Sequence, residues 1–393
     1  LKMKAAVFIA VVFLFAVSVT IHGESPPAAS SSRTTITALS AGWLHTCALT
    51  ASGGVICWGR NRYGRLGNGT RKNSRVPVHV IGLHRGVKAI EVGGEYSCAV
   101  THTGGVKCWG RNSYGMLGDG TTENRFKPVN VWGLSKGVVA ISSSAYHACA
   151  LMETGGVKCW GHNQYGKLGD GTALDRHKPV DVKGLDGPVA AIAAGLNHTC
   201  VLMTSGAVKC WGDNYSGQLG VGTSGWGRRS YKPITVIGLG SSVKAIESGW
   251  LHTCVILKTG GVRCWGRNFK GQLGNGTIIN SSRPIRVSGL SGKVVSLQAW
   301  EEHNCALMES GDLKCWGGNE YGQFGTLAKS KYLTPISVKN FGEKAVLFST
   351  GCRHTCVLTS SGKVKCWGYN RYGLLGEAGK CGKMCVKAIE VKL

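Results

Sequence analysis

Residues 98–121 read CAVTHTGGVKCWGRNSYGMLGDGT. Two runs of alternating side chains flank Gly104 and Gly105, which is the pattern of a β-hairpin and not of a helix. Seven such segments occur, each holding two cysteines with nine residues between them, and the first cysteines recur every 51 residues with one step of 54. Centring each hairpin midway between its cysteines sets Cys47 opposite Cys57 and Leu49 opposite Val55, and directly opposed residues bring Cβ atoms into disulfide range. The spacing predicts seven disulfides, pairing Cys47 with Cys57, Cys98 with Cys108, Cys149 with Cys159, Cys200 with Cys210, Cys254 with Cys264, Cys305 with Cys315 and Cys356 with Cys366. A helical hairpin or a zinc site competes for such pairs, but turn glycines and flanking valines disfavour the helix, and zinc knuckles want closer spacing. Closing each eleven-residue loop is worth roughly 3 kcal/mol in the chain-entropy model.

The rest of each unit is also β. VKAI (Val87–Ile90) precedes the hairpin, and KPVNV (Lys127–Val131) follows the glycine-rich turn, its proline suiting an edge strand. Four short strands in about 50 residues make one propeller blade. The expected fold is therefore all-β, a seven-bladed β-propeller spanning residues 36–393, with repeats at 36–86, 87–137, 138–188, 189–242, 243–293, 294–344 and 345–393. Neither terminal repeat has the polar cap of an open solenoid, which favours a closed ring. Cys381 and Cys385 are placed to pair locally, leaving Cys352 over.

Composition agrees. Hydrophobic residues are 43% of the 393 and charged residues 17%, which excludes wholesale disorder, while 60 glycines speak against long helices. Forty-six Lys and Arg against 20 Asp and Glu give a net charge of +26, favouring anionic partners. Lys2 and Lys4 precede an apolar run from Ala5 to Val19 and small residues up to Gly23, which predicts a signal peptide over 1–23; residues 24–35 follow as a Pro/Ser-rich linker. The run is short of a membrane span. Secretion accords with seventeen cysteines, since disulfides persist in oxidising compartments.

After each second cysteine comes W-G-x-N-x-x-G-x-L/F-G: WGRNRYGRLGNGT from Trp58, WGRNSYGMLGDGT from Trp109, WGHNQYGKLGDGT from Trp160 and WGGNEYGQFG from Trp316. With the preceding HTCAL of His45–Leu49, this pattern resembles the regulator of chromosome condensation repeat family over residues 36–393. The resemblance implies a seven-bladed propeller with loops on two faces. The founding nuclear member is a guanine-nucleotide exchange factor that uses a wedge-like insertion from one blade. Here the largest excess over the repeat is three residues, around Ser224–Arg229, and the expected compartment is wrong, so exchange activity ranks last. Secreted relatives include bacterial inhibitors of β-lactamase, which makes inhibition of a secreted enzyme the alternative to a general binding role.

Features that repeat are read as scaffold. Trp58, Trp109, Trp160, Trp211, Trp265, Trp316 and Trp367 are expected between blades. His45, His147, His198, His252, His303 and His354 are spread around a ring and cannot converge on a metal, so hydrogen-bonded structural roles are expected. The cations preceding each second cysteine (Lys107, Lys158, Lys209, Arg263, Lys314, Lys365) are expected to lie along neighbouring blades with their heads in water.

Binding is sought where the repeats differ. The loops before the histidine position give a candidate ligand-binding face of Trp43, Leu44, Glu95, Tyr96, Tyr146, Asn197, Trp250, Leu251, Trp300, Glu301, Glu302 and Arg353, with plugging of the central channel as the competing role for its rings. Sequons at Asn68, Asn197, Asn214, Asn275 and Asn280 are candidate glycosylation sites. No enzyme motif occurs, and no catalytic residue, cofactor or metal is assigned. The expectation is a secreted, monomeric, non-enzymatic module for an extracellular protein or anionic glycan, without nucleic acid or a membrane span.

Overall fold

The computed structural model describes residues 34–377, 379 and 381–393. The expected signal peptide and the linker up to residue 33 lie outside the described residues. Strands β1 (Ile36–Ala41), β2 (His45–Thr50), β3 (Val55–Gly59) and β4 (Ser74–His79) pair antiparallel in chain order, and the same four-stranded sheet recurs seven times. This is the all-β, seven-bladed propeller. The innermost strands, equivalent to β1, surround the axis, and the outermost, equivalent to β4, form the circumference. Each outermost strand has one half-buried and one exposed flank, and Pro77, Pro128, Pro179, Pro233, Pro284 and Pro335 blunt these edges.

The hairpin register is the one that joins the cysteines: Cys47 lies opposite Cys57, and the equivalent pairs follow suit. All seven predicted disulfides are formed. Cys381 pairs with Cys385, and Cys352 is a buried free thiol. At the hairpin turn Gly53 takes φ 77°, a conformation that costs other residues dearly.

The core lies between blades. Each of the seven repeated indoles is wholly buried, and each donates its Nε1–H to a backbone carbonyl of the preceding blade. Trp109 reaches the Arg65 carbonyl at 2.8 Å, and Trp58 closes the ring on the Leu374 carbonyl at 2.9 Å. Five of these carbonyls take a second bond. Thr199 Oγ1 donates to the Lys167 carbonyl at 2.8 Å, where Trp211 also donates, and Ser97, Thr253, Asn304 and Thr355 repeat this elsewhere.

The histidines complete the seam. His147 Nε2 lies 2.8 Å from Thr199 Oγ1, and because that hydroxyl gives its proton to the Lys167 carbonyl, the imidazole is the donor. His45, His198, His252 and His354 reach the next blade in the same way. Tyr96 occupies the histidine position of the second blade. Its side chain is 0% exposed, and its hydroxyl donates to the His147 carbonyl at 2.6 Å, so Tyr96 belongs to the seam and not to a ligand-binding face. The asparagine of W-G-x-N also has a fixed role: Asn61 Oδ1 accepts from the Leu66 amide at 2.9 Å, folding the loop after β3.

Replacing Trp265 with phenylalanine removes the bond to the Gln218 carbonyl but keeps most of the packing, and is expected to cost about 1–3 kcal/mol. Alanine there opens a cavity as well and is expected to cost about 3–5 kcal/mol. Urea unfolding of both variants checks the order; equal losses would place the whole contribution in the indole hydrogen bond, which both variants lack.

Candidate binding face

The loop between β1 and β2 and the longer loop after β3 emerge together. The Arg60 amide donates to the Leu44 carbonyl at 2.8 Å, and Arg111, Arg267 and Tyr369 bond to Glu95, Leu251 and Arg353 in the same way. Seven pairs of loops thus form one face of the disc.

The predicted face residues fall into three groups. Trp43, Tyr146 and Trp250 meet at the axis, with Trp43 edge-on to Tyr146 at 5.9 Å and to Trp250 at 6.1 Å. Trp300 Nε1–H donates to the Ala41 carbonyl at 2.6 Å, and Leu44 and Leu251 are half-buried in the adjoining loops. Trp250 and Trp300 line the central channel, so these rings plug its mouth. The second group is locally paired: Glu95 with Arg65 and Arg111, Asn197 with Lys167, Glu301 with the Cys352 thiol, and Glu302 with Arg267. Burial opposes ionisation of Glu95, but its two arginines outweigh that and hold its carboxyl below the usual range. Tyr96, in the seam, leaves Arg353 as the third group.

Arg353 begins an arc that the sequence pattern did not single out. Its guanidinium lies 4.3 Å from the centre of the Tyr321 ring and 5.5 Å from Tyr369. Arg60 and Arg371 flank Tyr372 at 5.0 and 5.6 Å, and Arg62 and Arg111 flank Tyr63 at 5.2 and 5.3 Å. The ion pairs among the described residues use other cations than Arg60, Arg62, Arg353 and Arg371. The ring of cations before the second cysteines is, by contrast, locally engaged: Lys107 with Asn130, Lys158 with Asp181, Lys209 with Asp186, Arg263 with the Gly238 carbonyl, Lys314 with Gly289 and Lys365 with Glu343.

Beneath the face lies a buried cation, Lys167. Its ammonium donates to the Leu196 carbonyl at 3.1 Å and Asn197 Oδ1 at 3.2 Å, and burial lowers its pKa to about 7. Other blades have Met116, Gln218 or Leu374 at this position, so no repeated signal marked it. The channel encloses about 430 Å³. Glu91 and Glu247 line it, and burial raises each carboxyl to about 8, with Glu91 adding repulsion at Glu247. Among the described residues no three His, Cys, Asp or Glu side chains converge as metal ligands would.

The sequons divide. Asn68, Asn197, Asn275 and Asn280 are half-buried with their Oδ1 atoms already accepting bonds. Asn214 is the W-G-x-N asparagine of its blade and is 3% exposed, with Nδ2 donating to the Thr223 carbonyl and Oδ1 accepting from Leu219. Asn214 is thus a scaffold residue of its loop, and this burial argues against the glycosylation expected there.

The family model described as RCC1-like domain matches residues 18–278, and models of the regulator of chromosome condensation (RCC1) repeat match 259–307, 301–323 and 346–374. The chain is 30% identical to the ultraviolet-B receptor UVR8 of Arabidopsis thaliana over 360 residues, covering 90% of this chain and 81% of that one. It is 36% identical to the human E3 ubiquitin-protein ligase HERC2 over 266 residues, 66% of this chain but 5% of that protein. The solved structure of yeast RCC1 (Prp20) bound to Kap60 superposes with a TM-score of 0.77 at 22% identity, covering 96% of this chain and 91% of that one, a likeness of fold.

Two outcomes are expected. Glu91 and Glu247 have folded pKa values near 8 against an ordinary 4.5, so the stability they provide is full below about 4.5 and is lost as pH rises through 8. The buried histidines act oppositely, with His198, His303 and His354 lowered to about 3 and His252 to about 4 by burial, and their contribution is lost only below 6.5. A Glu91→Gln/Glu247→Gln variant should therefore gain melting temperature over the parent at pH 8 and little at pH 5, by circular dichroism; an equal difference at both pH values would contradict the carboxyl assignment. Asn214→Gln should destabilise the chain by about 1–3 kcal/mol and, in glycosylating cells, change its mass only by the added methylene with no loss of a glycan, read by urea unfolding and mass spectrometry.

Proposed function

The chain belongs to the regulator of chromosome condensation repeat family, and on that premise we propose that it is a secreted, non-enzymatic binding module for an acidic extracellular protein or anionic glycan. The observation that carries this reading is the arc of Arg353, Arg371, Arg60 and Arg62, each set against a tyrosine ring and none in an ion pair among the described residues. A guanidinium stacked on an aromatic ring is held in place, Arg353 further by a bond to Cys352, and the remaining donors of its planar fork suit carboxylate or sulfate. The disulfides support the extracellular assignment, because such bonds persist where thiols are not kept reduced. The net charge of +26 would speed encounter with an acidic partner, and the effect would fall with salt. The Trp43, Tyr146 and Trp250 cluster then serves as a rigid floor beside the arc.

The test is a binding panel of sulfated, carboxylated and neutral glycans together with acidic extracellular proteins, read by biolayer interferometry on the oxidised chain. Arg353→Ala/Arg371→Ala is expected to weaken the retained acidic ligands at least tenfold, with a shallower salt dependence than the parent. Equal affinity in parent and variant would remove the arc from function.

A further inference from the structure

Cations and carboxylates are unevenly distributed around the ring. Residues 189–242 contain four Lys and Arg and residues 243–293 contain eight, twelve in all, against only Asp213 and Glu247. Neither carboxylate is exposed: Asp213 accepts from Gln218 and Tyr215, and Glu247 lines the channel. This sector lies across the disc from the arginine arc.

The same sector exposes apolar side chains. Trp226 is 92% exposed, Ile279 72%, Tyr215 55% and Phe269 53%, and all four are on the loops after the third strands of the fourth and fifth blades. The first of these loops is tied to the outermost strand of the fifth blade, the Gly222 amide donating to the Ser282 carbonyl at 2.9 Å. Trp226 stands on the three-residue excess of the fourth repeat, between Gly225 (φ 131°) and Gly227 (φ 75°), both in conformations that favour glycine. The loop is braced by Gly225 donating to the Tyr215 carbonyl and by the Tyr215 ring edge-on to Trp226 at 6.2 Å. Arg228 and Arg229 follow, both exposed, and supply the cations next to Trp226; Arg267, 5.1 Å from the centre of the Phe269 ring, and Lys270 are paired with Glu302 and Glu320 of the next blade.

We propose that these two loops form a second docking surface, centred on Trp226 and separate from the arginine arc, for a protein segment that presents carboxylates around an apolar centre. The composition points to protein: Trp, Tyr, Phe and Arg are the side chains enriched at interface centres, while Asp and Glu are depleted there. Guanidinium groups beside the rings favour paired carboxylates over a diffuse anionic surface. A single sugar ring would need one aromatic platform, whereas four apolar side chains on two loops call for an apolar counterpart. The charge of the sector selects an acidic one.

The test pans a displayed library of random twelve-residue peptides on the whole oxidised chain and measures the enriched peptides against variants. Expected are sequences with carboxylates flanking aromatic or aliphatic residues, bound at least tenfold more weakly by Trp226→Ala and by Arg228→Glu/Arg229→Glu. Arg371→Glu, in the arc, should leave that binding unchanged, so the two surfaces fail or succeed separately. Trp226 is exposed, and an unchanged melting temperature will show that its loss does not unfold the chain. Acrylamide quenching supplies the second readout: the peptide should shield an indole in the parent and none in Trp226→Ala. Peptides without carboxylates, undiminished binding by either variant, or shielding of Trp226 by phosphatidylserine vesicles or heparin but not by peptide would overturn the proposal.

Discussion

The ring depends on a backbone carbonyl that, at five of the seven seams, accepts two protons from the next blade. At the Lys167 carbonyl these come from the Trp211 indole and the Thr199 hydroxyl, and the hydroxyl is itself engaged by His147. A blade has two faces and no core of its own, so it must bury both against neighbours, and every polar atom taken inside must be matched there. Indole and hydroxyl share the carbonyl, and the imidazole is matched by donating to the hydroxyl. Burial keeps the imidazoles neutral, and the bond to the hydroxyl selects the tautomer protonated at Nε2. The disulfide staples a hairpin within a blade, while this bonded seam joins one blade to the next.

What repeats was legible, because a demand made seven times leaves seven copies in the sequence. The hairpins, their cysteines, the interblade tryptophans and the structural histidines all follow from periodicity and turn chemistry. Tyr96 was misassigned because it is the one departure from histidine at its position; the departure changes the chemistry of the seam and not its location. The burial of Asn214 was not legible because a sequon is a local pattern, whereas burial is set by the fold. Lys167, the Glu91 and Glu247 pair and, beyond Arg353, the arginine arc left no trace, since each arises where unlike residues of different blades meet. Trp43 and Trp250 lie far apart in sequence and touch only because the ring brings them to its axis.

Scaffold and surface therefore obey different rules in this chain. Seam positions vary little and are buried; the loops above them carry the charge asymmetry and the unmatched rings. Because the loops are folded by asparagines such as Asn61 and Asn214 through bonds to their own backbone, side chains at the intervening positions are free to differ from blade to blade. The arginine arc and the Trp226 loop are two outcomes of that freedom on opposite sides of one face.

Each sheet draws all four strands from its own repeat, so among the described residues no strand crosses from the last blade to complete the first. Six seams are bridged by the continuing chain. Among the described residues the seventh is held by packing and by bonds such as Trp58 to the Leu374 carbonyl, His354 to Thr46, the Ala41 amide to Ser349 Oγ and the Cys352 amide to the Gly42 carbonyl. Topologically the molecule is a split washer. Its softest collective motion is a parting of the first and seventh blades, since that gap alone can widen without stretching a covalent tether, and amide exchange along its two lips should outpace exchange at every other junction.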